Sequence, residues 1–268
     1  MSSRKPGCLY SGGGPKPPPE TEEIVIITSI AGKTVLITGS NRGIGQALVE
    51  EALKRNAKRV YAGMRHPSAH ADRRVTALAL DVTDAAQIRE AAAEVEALDV
   101  LVNNAGIALY DDLSDRSVLQ QHLAVNLFGT HSVTQAFLPL LMRSAGAVVN
   151  NLSVNAFAPF PLIPAYSISK AAAFSLTQSL RALVAEHQVS VHAVLTGIVD
   201  TDMSRGVDIP KASPESVARG IFDGVEKGEE DIFPDPMAQS QAESWRTGAA
   251  KELERQYAAI AAASAQRV

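Results

Sequence analysis

From Lys33 to Phe233 the chain alternates short apolar runs with amphipathic stretches, and few folds accommodate that order. Thr34–Thr38, Arg59–Met64, Val75–Leu80, Val100–Asn103, Ala147–Leu152, Ser190–Leu195 and Asp231–Phe233 read as strands. Ile44–Arg55, Ala85–Leu98, Ser117–Met142, Ala165–His187 and Pro214–Lys227 read as helices, with Pro139 straining the last turn of the third. Strands that are apolar on both faces, separated by helices, predict an α/β fold with a doubly wound parallel sheet of about seven strands, covered by helices on both faces. Ligands of such sheets bind beyond the carboxyl ends of the strands.

The first strand ends in Thr38-Gly39-Ser40-Asn41-Arg42-Gly43-Ile44-Gly45, which opens a helix. Glycines let such a turn approach a phosphate closely, and the helix N-terminus offers free N–H groups and a positive dipole end. The spacing is Gly-x-x-x-Gly-x-Gly. It is neither Gly-x-Gly-x-x-Gly nor a P-loop, because no Gly-Lys-Ser/Thr follows. Together with the alternation it makes the fold Rossmann-type. The second strand ends Ala62-Gly63-Met64-Arg65-His66, without the acid that usually holds a ribose 2′-hydroxyl in NAD-binding folds. Arg65, helped by Arg42, can instead pair with a 2′-phosphate; the alternative is two surface arginines.

Tyr166 and Lys170 are four apart in a helical stretch, so their side chains share a face. An ammonium beside a phenol favours the phenolate, which would let Tyr166 exchange a proton with an alcohol or carbonyl oxygen near neutral pH.

These motifs together resemble the short-chain dehydrogenase/reductase family, in its single-domain subgroup. Thr38–Gly45 is similar to the family's Thr-Gly-x-x-x-Gly-x-Gly turn, and Asn103-Asn104-Ala105-Gly106 to its Asn-Asn-Ala-Gly motif. Asn126, Ser153, Tyr166 and Lys170 stand where the family carries its catalytic set. Asp81-Val82 resembles the pair that contacts adenine, and Gly197, Val199 and Thr201 resemble Pro-Gly-x-Val-x-Thr. Thr196 replaces the proline, which predicts a looser loop, and Leu152 replaces a frequent second serine.

The resemblance implies hydride transfer between NADP(H), or NAD(H) as the alternative, and a small or medium apolar carbonyl or alcohol. Ser153 would hydrogen-bond the substrate oxygen and Tyr166 would exchange the proton. Lys170 would lower the Tyr166 pKa and bind the nicotinamide ribose. Asn126 would hold a water linking Lys170 to solvent. Gly39, Ser40, Asn41, Arg42, Gly43, Ile44, Gly45, Arg65, Asp81, Val82, Asn104, Ala105, Gly106, Tyr166, Lys170, Gly197, Val199 and Thr201 would contact the cofactor. Phe157, with Phe160, Leu162 and Ile163, would wall the substrate. A non-catalytic NADP-binding regulator is the alternative from another class. The resemblance also implies a homodimer or homotetramer, through Leu138–Met142 and Ala171-Ala172-Ala173-Phe174.

Composition narrows the rest. The 268 residues are 46% hydrophobic, enough for one large core. A net charge of -4 without a Lys/Arg run argues against nucleic-acid and anionic-membrane partners. The one cysteine, Cys8, cannot form an intrachain disulfide, which fits a reducing, cytoplasmic setting. The longest apolar run near the start, Ile24-Val25-Ile26-Ile27, is far too short to span a membrane. His66, His70, His122, His131, His187 and His192 have no metal-ligand spacing. The expected organisation is a flexible Gly/Pro-rich tail over 1–31, the nucleotide-binding and catalytic domain over 32–236, and a helical extension over 237–268 in which Trp245 and Tyr257 need a surface to bury against.

Overall fold

Seven short strands build one parallel sheet: β1 (Thr34–Thr38), β2 (Arg59–Met64), β3 (Val75–Ala79), β4 (Val100–Asn103), β5 (Ala147–Asn151), β6 (Ser190–Val194) and β7 (Asp231–Ile232). They lie in the order β3-β2-β1-β4-β5-β6-β7, all pairs parallel. The computed structural model describes residues 29–265. The glycine- and proline-rich start and Cys8 lie outside them.

The strands alternate their side chains between two cores. Val35, Ile37, Val60, Val102 and Val149 face α1 (Gly43–Lys54) and α6 (Pro214–Glu226). Leu36, Tyr61, Leu101, Val148 and Val191 face α2 (Ala85–Glu94), α4 (Thr130–Ser144) and α5 (Pro164–Val184). Helix starts follow local chemistry. Asp84 accepts from Ala86 N and Gln87 N at 2.8 and 3.2 Å to cap α2. Asp115 caps α3 (Arg116–His122), and Ser213 with Pro214 opens α6. Because β1 lies between β2 and β4, the chain leaves the two strands toward opposite sides, and a crevice opens above their carboxyl ends.

Several elements differ from expectation. α2 stops at Glu94 because Val95 and Leu98 are needed in the core and the chain turns inward to place them. The stretch expected as one helix over Ser117–Met142 is α3, a π turn over Leu123–Gly129, and α4; Pro139 is absorbed within α4. Ala173 and Phe174 are interior, so they are not part of a surface for a second subunit.

The extension is two helices, α7 (Pro236–Arg246) and α8 (Ala249–Ala265), separated at Thr247-Gly248. Trp245 stacks on Phe157 at 4.6 Å between ring centroids and meets Phe174 edge-on at 5.3 Å. Its indole N–H donates to Asp231 at 2.8 Å. Tyr257, by contrast, is exposed. Arg181 on α5 pairs with Asp231, Glu230 and Glu254, and Lys251 pairs with the same three acids, which fastens α8 to α5. No helix among the described residues is long and apolar enough to cross a membrane.

Candidate active site

The turn after β1 is shaped by what its glycines lack. Gly39 has φ +65°, and a Cβ on it would stand 2.8 Å from Ala105 Cα. A Cβ on Gly45 would stand 2.1 Å from Gly39 O. The turn therefore folds back on itself and seats against residues 104–106. Asn104 Nδ2 donates to Thr38 O and Gly39 O at 3.0 and 3.2 Å, and Thr38 Oγ1 accepts from Asn104 N and Ala105 N. α1 starts without a side-chain cap, leaving its first N–H groups facing outward for an anion. Ser40 departs from expectation: its side chain is buried and donates to Gly63 O at 3.1 Å, so it ties the turn to β2 rather than facing the crevice.

A cleft of about 770 Å³ runs along the strand ends. Arg42, Arg65, Asp81 and Val82 line one end; Asn41, Gly43, Ile44, Gly45 and residues 104–106 line the middle. Ser153, Tyr166 and Lys170 line the far end, with Gly197, Val199 and Thr201 along one edge. Phe160, Met203, Val207, Ile209 and Met237 cover the far end with apolar surface. The Asp81 carboxylate is pushed up by burial, but its bonds from Thr83 N and Oγ1 and the nearby Arg65 outweigh this and hold it below its ordinary value.

Ser153 follows β5 and caps a short helical turn over Val154–Ala156, its hydroxyl accepting from Asn155 N at 3.1 Å and lying near enough to the Tyr166 phenol to lower its pKa. α5 begins at Pro164, which sets Tyr166 in the first turn and Lys170 one turn on. Ile163 gives α5 no side-chain cap. Asp111 substitutes by accepting from Ala165 N at 3.2 Å. Lys170 Nζ donates to Asn151 O at 2.7 Å and lies 5.7 Å from the Tyr166 ring centroid. Burial pushes Lys170 down to about 8. Burial also pushes Tyr166 up to about 12, against the Ser153 hydrogen bond. Part of the Tyr166 ring faces the cleft, so water there offsets some of that rise. The expected lowering of Tyr166 by Lys170 is thus not present in the chain alone, because the ammonium is turned toward Asn151 and its own charge is disfavoured.

Asn126 also differs. Its Oδ1 accepts from Ile107 N at 2.9 Å, and its Nδ2 donates to Ile107 O and Ser169 Oγ. The amide clamps residue 107 to α5, with both of its N–H groups used within the protein. Phe157, expected to wall the substrate, does not line the cleft: it packs among Phe174, Phe233 and Trp245. Thr196 does not loosen its loop, since its hydroxyl donates to Leu152 O at 2.8 Å and reaches Asn151 Oδ1 at 3.1 Å.

Four residues were missed by sequence reasoning. His122 is fully buried; its Nε2 accepts from Leu109 N at 3.0 Å and its Nδ1 therefore donates to Val118 O at 2.8 Å. Its ring meets Tyr166 edge-on at 6.4 Å. Asp235 is buried, caps α7 through Ala238 N, and accepts from Gly197 N at 2.7 Å. Asp235-Pro236 was a legible helix start; its bond to Gly197 was not. Asp111 and Asp202 carried no signal beyond their charge.

The residues fit an adenine dinucleotide phosphate. The glycine cradle and uncapped α1 suit a diphosphate, and the two arginines suit a further phosphate. The sequence model of the short chain dehydrogenase family matches residues 33–211. Sorbitol dehydrogenase of Cereibacter sphaeroides is 35% identical over 204 residues, 70% of this chain and 79% of that one. Mouse estradiol 17-beta-dehydrogenase 2 is 33% identical over 194 residues, 66% of this chain and 51% of that protein, so this chain spans about half its length. A short chain dehydrogenase from Burkholderia cenocepacia J2315, solved in complex with NADP, superposes with a TM-score of 0.77 at 34% identity, covering 82% of this chain and 95% of that one. Fold, cleft and relatives agree: the chain belongs to the short-chain dehydrogenase family of oxidoreductases.

Proposed function

We propose that this chain transfers a hydride between NADP(H) and a small or medium apolar ketone, aldehyde or alcohol. The observation that carries the reading is one cleft that holds Ser153, Tyr166 and Lys170 at one end and Arg42 and Arg65 at the other. The bound nicotinamide supplies the hydride. Every other task falls to the chain. Ser153 and Tyr166 hydrogen-bond the substrate oxygen, and their donors stabilise the charge that develops there. Tyr166 gives its proton in reduction and takes it back in oxidation. A phenol raised toward 12 is held protonated at pH 7, which suits the reductive direction. Lys170, lowered to about 8 and tied to Asn151, is a short distance from releasing its own proton and can restore one to Tyr166. Arg65 and Arg42 would pair with the 2′-phosphate. The apolar lining of Phe160, Met203, Val207 and Ile209 favours a substrate without charge.

The test is NADPH oxidation across a panel of carbonyl compounds, with Tyr166→Phe as the control. Loss of turnover by about 100-fold or more with NADPH binding intact supports the reading; a control that keeps most of the rate refutes it. We place the protein in the cytoplasm and expect self-association through the half-buried Leu138, Leu140 and Met142 side of α4. Sizing that gives a monomer at micromolar concentration removes the association.

A further inference from the structure

An ion pair joins the two walls of the cleft. Arg42 donates to Asp202 Oδ2 at 2.8 Å. Arg42 is the last residue before α1, where a phosphate would lie. Asp202 opens the short helical turn Asp202–Ser204, which starts the segment carrying Met203, Val207 and Ile209 over the far end. Beside the pair, a Cβ on Gly43 would stand 3.1 Å from Thr201 Cγ2, so the glycine turn and this segment already touch. Asp202 also receives Arg205. Arg65, in contrast, forms no hydrogen bond or salt bridge among the described residues and stands beside Asp81.

We propose that Asp202 competes with the nucleotide's phosphate groups for Arg42, and so sets cofactor affinity from outside the phosphate-binding residues. This rests on the reading of the cleft as an NADP(H) site. A guanidinium grips a carboxylate and a phosphate with the same planar fork, and one fork cannot serve both. The pair is replaceable because it is wet: the two side chains are 67% and 45% exposed, where such pairs are weak. When Arg42 turns to phosphate, Asp202 keeps Arg205 as its partner. Asp202 therefore opposes binding twice, by holding the cation and by repelling the incoming anion.

A double-mutant cycle separates these effects. NADPH and NADH are titrated against wild type, Asp202→Asn, Arg42→Gln and the double variant, following nucleotide fluorescence at low salt. Asp202→Asn is expected to tighten NADPH about two- to fivefold, the range for an exposed pair. In the Arg42→Gln background the same change is expected to do much less. The gain shrinks as salt screens it. Tightening confined to NADPH identifies the 2′-phosphate as the competitor; tightening of both nucleotides identifies the diphosphate. Weaker binding by Asp202→Asn overturns the proposal, because the pair then clasps bound nucleotide. Equal tightening in both backgrounds also overturns it, since Asp202 then acts only as a general negative field. If wild type binds neither nucleotide, the cofactor reading itself fails, a result distinct from both.

Discussion

Lys170 donates its ammonium to the Asn151 carbonyl at 2.7 Å, so the catalytic helix is tied to the end of β5 through a buried charge. Burial without a carboxylate partner explains why its pKa falls to about 8. The consequence is a pH-dependent stability. Below pH 8 the amine is charged in both folded and unfolded chains. Between about 8 and 10.5 the folded chain releases the proton while the unfolded chain keeps it, so stability rises with pH. Tyr166 acts in the opposite sense above pH 10, where only the unfolded phenol ionises. Urea midpoints of wild type should therefore climb between pH 8 and 10 relative to Lys170→Met. Parallel curves for the two proteins would dismiss the buried-charge account.

Arg65→Ala should weaken NADPH about tenfold and leave NADH nearly unchanged, the loss expected for one charge-assisted phosphate contact. Calorimetric titration of both nucleotides decides this. Equal weakening of both would move Arg65 away from the 2′-phosphate.

Two glycine substitutions should differ sharply. Gly45→Ala places a methyl 2.1 Å from Gly39 O, backbone that cannot swing aside. A loss of about 3 kcal/mol or more, with loss of nucleotide binding, is expected. Gly32→Ala has open space around it and only a φ of +75° to strain it. It should cost about 1–2 kcal/mol. Chemical denaturation of both variants ranks them, and a harmless Gly45→Ala would contradict the packed turn.

Trp245→Ala should cost about 2–4 kcal/mol, from lost stacking on Phe157, a lost edge contact with Phe174 and a lost bond to Asp231. Trp245→Phe keeps a ring but not the donor and should cost less. The unfolding free energies of the pair should follow that order; if Phe costs as much as Ala, the hydrogen bond dominates the stacking.

The strands and the glycine turn were legible because each is fixed by its own residues. Val35, Ile37 and Leu36 are buried whichever way they face, so an apolar run suffices. Helical spacing put Tyr166 and Lys170 on one face, but the pair gained meaning only beside Ser153, Asn126 and the glycine turn. What escaped depended on partners distant in sequence. Phe157 turns inward because Trp245 waits there, and nothing near Phe157 announces it. Asn126 spends its amide on Ile107 because a π turn aims it there, and a hydrophobic period does not reveal an extra residue per turn. The direction of the Tyr166 shift escaped for a similar reason: spacing puts Lys170 on its face, but only the fold gives the ammonium the Asn151 carbonyl to prefer.

The grip of α8 on α5 has a bearing on how the protein is made. Lys251 and Glu254 belong to the last helix, while Arg181 and Asp231 are laid down long before it. During synthesis from the N-terminus, α5 with Arg181 is made first, Asp231 follows, and Lys251 and Glu254 come last. A chain ending at Gly248 would keep every residue that lines the cleft and lack two members of the ionic clamp behind it.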